Sequence, residues 1–447
     1  MMITLNFANM MEKVIGPKGT NDKAIESLKT KAEEIHKEIT GRKRNELEFM
    51  DLPDQDTAEV RKLGGEVRRE SGNFLLLGIG GSALGPRAIL ESLSPYHNLR
   101  EKPKVFIYDN VDPRTLKHIL SVVDLRRTTV NVISKSGSTA ETAASFMILW
   151  DEMKKAVGKD SAKRFIATTD PASGNLRKIA SDNGMRTLPI EKGIGGRYSV
   201  LSPVGLLLAE VIGVDSRELL KGAADMRSRC ATDDIGKNPA YMFGGLLYLM
   251  NVNAKRNVNV LIPYADGLKF LSEWFCQLWA ESLGKDGKGM TPYPSVGTTD
   301  QHSQMQLWME GPGDKVVTFI RIDEYGEDFT IPKVFAEIEG TNYLSGHSLS
   351  ELIKAEEESS ELALAKRGHP NMTIHIPSID AYHLGELFQF FEIATAFTGL
   401  LMGINPFNQP GVEEGKNFTY GMMGKKGFEA KREEVEQTRK DKARRQI

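Results

Sequence analysis

The sequence predicts an α/β protein: two doubly wound parallel-sheet domains of flavodoxin-like strand order, with helical segments at the N- and C-terminal ends. Three observations carry that expectation. Short apolar runs alternate with helical-looking segments from residue 71 to about residue 215, and a second alternation of the same kind follows it. The chain has 447 residues, which is too long for one ordinary core.

Residues 1–70 read as charged helices, as in "NDKAIESLKTKAEEIHKEIT" and "TAEVRKLGGEVRRES". Next come "NFLLLGI", "KVFIYD", "TVNVIS", "RFIATT" and "RTLPI", each separated from the next by a helical stretch. Strands joined this way form a parallel sheet covered on both faces. The block closes with a long apolar helix, "VLSPVGLLLAEVIGV". The second block has strand candidates "NVNVLIPYAD", "KVVTFIRID" and "MTIHIPSI", with the helices "GLKFLSEWFCQLWAESLG", "SLSELIKAEEESSELALAKRG" and "LGELFQFFEIATAFTGLLMGI". A Gly/Asn/Pro-rich stretch and a charged helix end the chain. The expected boundaries are 1–70, 71–215, 216–400 and 401–447. The "EEE" run at 356–358 reads as a solvated helix face.

Charge is nearly balanced, 58 basic against 60 acidic residues. That gives no reason to expect nucleic acid or an anionic membrane as partner, so a bound anion must be held by local geometry. Two cysteines, Cys230 and Cys276, cannot form a disulfide framework and read as ordinary buried thiols of a reducing compartment. The N-terminus lacks the pattern of a signal peptide. The longest apolar runs fall short of the roughly 18 consecutive apolar residues a membrane span needs. A soluble, cytoplasmic protein is expected.

The first apolar run ends in "GIGGSALG", which satisfies the dinucleotide template through Gly78, Gly80 and Ala83, with an acidic residue, Asp109, after the next run. A nicotinamide or flavin enzyme is one reading of it. The third run ends in "SKSGSTAET", also rich in small residues, and it opens a helix. In a sheet ordered 2-1-3-4-5 these two loops flank the crevice between strands one and three. The amides and hydroxyls there suit a phosphate. Taken singly, either loop reads equally as turn chemistry.

Together, "GIGGSALGP" and "VISKSGSTAET" resemble the sugar-isomerase (SIS) phosphosugar-binding domain. With "GIGGRYSVLSPVG", "FCQLWAESLGKDGKG", "GTTDQHSQMQLWMEG" and "FNQPGVEEGK", in order from about residue 78 to 416, the chain resembles the glucose-6-phosphate isomerase family. The resemblance implies two SIS-type domains and an aldose–ketose isomerase of glycolysis and gluconeogenesis. It implies a hexose 6-phosphate substrate and an ene-diolate intermediate, with no cofactor and no metal. It assigns Gly81, Ser82, Ser134, Ser136 and Thr139 to the substrate phosphate; Lys135, among them, is read from its charge as a further substrate-binding residue, with a solvent-facing side chain as the alternative. Arg197 would lie beside the reacting carbons, Gln277 would bind substrate, and Glu281 would be the base. His302 would open the ring; Gln409 and Lys416 would complete the site. It also implies a homodimer in which His302 enters from the neighbouring subunit. The sequence departs from the family in having fewer threonines in "SKSGST", Ala83 after Ser82, and "ESLGKDGKG". These departures fit a shorter, bacterial-type branch.

The residues make chemical sense on their own terms. Gln277 and Glu281 are i,i+4 on an apolar helix and so point the same way. Moving a proton between adjacent carbons needs one such carboxylate. A surface Glu281–Lys285 pair is the alternative, though it leaves Gln277 unexplained. Arg197 follows two glycines, which would expose its guanidinium to the pocket, where it stabilises a developing oxyanion; a surface ion pair is the other reading. His302 is expected on a polar loop, with Asp300 placed to orient it, and Lys416 in irregular chain. His369, His375 and His383 lack ligand-like spacing and read as structural.

Overall fold

The computed structural model describes residues 2–41 and 45–443. The chain divides into two compact units, Met1–Pro406 and Phe407–Ile447. Among the described residues ten strands form two five-stranded sheets, both in the first unit. They are β1 (Thr4–Asn6), β2 (Asn73–Leu77), β3 (Lys104–Tyr108), β4 (Thr128–Ile133), β5 (Phe165–Thr169), β6 (Arg186–Pro189), β7 (Val258–Pro263), β8 (Thr291–Pro294), β9 (Lys315–Ile322) and β10 (Asn371–Ile376).

The first sheet runs β3-β2-β4-β5-β6 and is parallel throughout, the flavodoxin-like order expected from sequence. In β2, "NFLLL", every residue is buried, as befits a central strand covered on both faces. The second sheet runs β1-β10-β9-β7-β8. Its four later strands repeat the same winding. Its fifth place is filled by β1, antiparallel to β10 with Thr4 opposite His375.

Eight helices matter below: α1 (Gly81–Leu93), α2 (Ala140–Val157), α3 (Ser216–Arg229), α4 (Lys269–Leu283), α5 (Thr299–Glu310), α6 (Leu349–Lys366), α7 (Ala381–Leu401) and, in the second unit, α8 (Glu413–Met422). Among the described residues α7 alone is long and apolar enough to cross a membrane, yet 94% of its apolar window is buried inside the protein. Asp380 caps it by accepting from His383 N. Helices α3 and α7 touch backbone to backbone: a Cβ on Gly222 would lie 1.8 Å from Tyr382 O, and one on Gly385 1.9 Å from Leu219 O. No side chain fits at either position.

Four expectations need correction. Residues 1–70 are not wholly helical, because β1 joins the second sheet. Strand β8, "TPYP", belongs to that sheet too, although its two prolines argue against a strand. His302 lies on α5 rather than on a loop. The "EEE" run is not a solvated face: Glu357 is fully buried on α6, 3.3 Å from Arg321.

Burial pushes the Glu357 carboxyl up to about 7, against the pull of Arg321. The folded state therefore keeps a proton that the unfolded chain releases. The stabilisation this provides is complete below about pH 4.5, shrinks as pH rises and is lost above about pH 7. Glu357→Gln should remove that slope. Urea unfolding at pH 5 and pH 8 should show wild type losing on the order of 2 kcal/mol more than the variant. Equal losses would disprove the assignment.

Candidate active site

Each phosphate-type loop sits at the carboxyl end of a parallel strand and opens a helix. After β2, Gly80 adopts φ +58°, a left-handed conformation that suits glycine, and α1 begins at Gly81 with no side-chain cap. After β4, α2 begins beyond Thr139, again without a side-chain cap. Two helix N-termini thus keep free amides at the switch point of the first sheet.

Ser82 is half-buried, and its hydroxyl has no partner among the described residues. Buried Ser134 accepts from Gly137 N at 3.0 Å and reaches Thr139 Oγ1 at 3.5 Å. Ser136 and Ser138 share a hydrogen bond of 2.8 Å. From below, Thr169 Oγ1 braces the loop by donating to Ser134 O at 2.7 Å.

Lys135 does not face solvent. Its ammonium donates to Ile194 O at 2.9 Å and also to Lys192 O, tying this loop to the "GIGGR" segment. Burial lowers its pKa. The same segment presses on the other loop, where a Cβ on Gly81 would lie 2.1 Å from Gly196 O. The backbone that delivers Arg197 is therefore held from both small-residue loops.

Arg197 is only 2% exposed, so it does not form a surface ion pair; it is buried with one edge turned to Glu281. The glycines allow the backbone to approach, but they do not determine what packs over the side chain. Its Nε donates to Ser282 Oγ at 2.7 Å, Nη2 to Pro406 O at 2.7 Å, and Nη1 meets Glu281 Oε2 at 3.3 Å. The Glu281 side chain is 34% exposed, and its other oxygen accepts from Gln277 Nε2 at 3.0 Å. The i,i+4 pair on α4 thus points one way, as expected. Lys285 is not the direct partner of Glu281: it donates to Ser282 O and Asn405 O. Burial, helped by Arg197, lowers the Lys285 pKa to about 8.

Gly80 joins the two halves of the site. A Cβ there would lie 2.7 Å from Gln277 Nε2, so the Gly80 loop abuts the residue that touches Glu281. The structure therefore brings together Gly80, Gly81, Arg197, Gln277 and Glu281, with Lys135 as a brace. Sequence reasoning gave no role to Ser282 or Tyr198, whose oxygens lie 3.2 Å apart. The only hint in the sequence is that Ser282 adjoins Glu281.

His302 is exposed, on the first turn of α5. Asp300 does not orient it: that carboxylate accepts from Val296 N and Ser303 Oγ. In the second unit, Lys416 lies on α8 rather than in irregular chain, paired with Glu413 at 2.8 Å. Gln409 directly precedes the short 3-10 turn Pro410–Val412. His369 contacts Met309 O, His375 approaches Asp323, and His383 pairs with Asp380. Burial pushes both cysteine thiols up to about 12. The dinucleotide reading loses its acidic residue, because Asp109 is paired with Arg87 at 2.8 Å.

The family model described as Phosphoglucose isomerase matches residues 56–437. The chain belongs to the phosphoglucose isomerase family. A glucose-6-phosphate isomerase of Carboxydothermus hydrogenoformans is 40% identical over 459 aligned positions, covering 99% of each chain. One from Rubrobacter xylanophilus is 46% identical, over 80% of this chain and 84% of its own. Among solved structures, a hypothetical protein from Thermus thermophilus superposes with a TM-score of 0.86 at 34% identity, covering 95% of this chain and all of that one. The fold is shared with a glucose-6-phosphate isomerase from Chlamydia trachomatis, TM-score 0.80 at 24% identity, over 94% of this phosphoglucose isomerase-family chain and 88% of the other.

Proposed function

We propose that this chain interconverts glucose 6-phosphate and fructose 6-phosphate by ring opening and proton transfer through a cis-ene-diolate. The observation that carries the reading is the Gln277–Glu281–Arg197 cluster set against the Gly80 loop. The uncapped ends of α1 and α2, with Ser82, Ser134, Ser136 and Thr139, receive the phosphate. Glu281 removes a proton from one of the two reacting carbons and returns it to the other. Gln277 fixes one oxygen of that carboxylate. Arg197 cannot deprotonate, so it stabilises the ene-diolate oxygen without competing for the proton.

Ring opening needs a base at the C1 hydroxyl and an acid at the ring oxygen. We assign His302 and Lys416 to this step and Gln409 to substrate binding, on the strength of the motif resemblance. The working domain map keeps 1–70, 71–215, 216–400 and 401–447. The balanced charge and the two unpaired thiols favour a cytoplasmic protein with no nucleic-acid or membrane partner.

Fructose 6-phosphate supplied in heavy water should yield glucose 6-phosphate carrying deuterium at C2. Binding of the ketose without proton exchange would sink the isomerase reading. We further propose a homodimer whose sites each borrow His302 from the other subunit, in keeping with the exposure of that residue here. Glu281→Gln and His302→Ala chains, each inactive alone, should on co-expression recover about a quarter of wild-type activity, from one intact site in half the dimers. No recovery from folded, dimeric chains would refute the shared site.

A further inference from the structure

We propose that Ser282 is a positioning residue that sets the plane of the Arg197 guanidinium. The inference rests on the reading of Arg197 as the cation beside the ene-diolate. Helix α4 presents Glu281 and Ser282 in succession. Neighbouring helical side chains point about 100° apart, so the two can address different edges of one planar group. Ser282 takes the Nε edge at 2.7 Å and Glu281 the Nη1 edge at 3.3 Å, while Pro406 O takes Nη2 at 2.7 Å. Ser282 is fully buried and is itself held by the Tyr198 hydroxyl at 3.2 Å.

A guanidinium is a rigid fork with donors in fixed directions. Pro406 O and Glu281 hold the two Nη ends of that fork, and Ser282 holds its Nε edge. Adding Ser282 at Nε fixes the plane, and with it the direction of the edge shared with Glu281. The serine touches no reacting atom; it acts through Arg197. Catalytic geometry tolerates displacements of only about 0.5 Å, so losing this anchor should be felt in the transition state more than in ground-state binding.

Ser282→Ala is nearly isosteric and should fold. Its kcat should fall about tenfold, part of the loss expected for deleting the cation outright, while KM changes less than about twofold. Tyr198→Phe should give a smaller change of the same kind. The decisive arm is non-additivity. In an Arg197→Met background, where no guanidinium remains to be aimed, Ser282→Ala should change kcat by less than about twofold.

A merely structural serine would cost the same factor in both backgrounds, and that result would overturn the proposal. So would wild-type kcat in Ser282→Ala. If Arg197→Met itself retains wild-type kcat, the role of Arg197 fails and this proposal fails with it. If only the serine variant is silent, Arg197 keeps its role.

Discussion

Glu281→Gln should lower kcat by about 10³-fold, with KM for fructose 6-phosphate changed little and deuterium uptake from heavy water abolished. The carboxylate accepts from Gln277 Nε2 through one oxygen and faces Arg197 through the other. A glutamine amide fills the same space but has one oxygen where the carboxylate has two. Whichever way it turns, its NH₂ confronts either the Gln277 amide or the arginine. It also cannot carry a proton between carbons at neutral pH. The phosphate loops do not depend on the carboxylate, so binding should survive. Residual exchange in the variant at more than about a tenth of the wild-type rate would move the base elsewhere.

Arg197→Met should combine two losses. Removing a preorganised donor from a developing oxyanion commonly costs roughly 10²–10³ in kcat. Stability should fall as well, because Ser282 Oγ and Pro406 O lose a charged donor in a buried setting, at about 1–3 kcal/mol for each stranded group. Methionine replaces the aliphatic stem, so little cavity is left to add to the cost. Kinetics together with urea unfolding would separate the two effects. A destabilised variant with unchanged kcat would make Arg197 a scaffold residue only.

The flavodoxin-like order was legible because buried parallel strands are continuous apolar runs, and β2, β4 and β5 announce themselves. Strands β1 and β8 did not. Three residues of "TLN" become a strand only because β10 lies beside them, and "TPYP" contradicts local propensity outright. In the site, Gln277 and Glu281 were readable because helical spacing alone fixes their common direction. Arg197 was readable as a residue but not in its setting, since its burial depends on Ser282 and Pro406, which are remote in sequence. His302 was misplaced on a loop because the first turn of α5 is polar, and polar residues with hydroxyls read as turn chemistry. Glu357 was misread for a related reason: three consecutive acids look solvated, and only the packing of α6 shows the middle one turned inward.

The pairing of β1 with β10 also bears on the order in which the protein is made. During vectorial synthesis the edge residues Thr4–Asn6 leave the ribosome about 370 residues before their partner strand. The second sheet is therefore discontinuous along the chain and cannot be completed until its most distant contact closes. A fragment starting after Asn6 would leave one flank of β10 as a bare row of amides and carbonyls, open to pairing with a neighbouring molecule. Residues Thr4–Asn6 act as a selvedge, keeping the weave of the second sheet from joining to another.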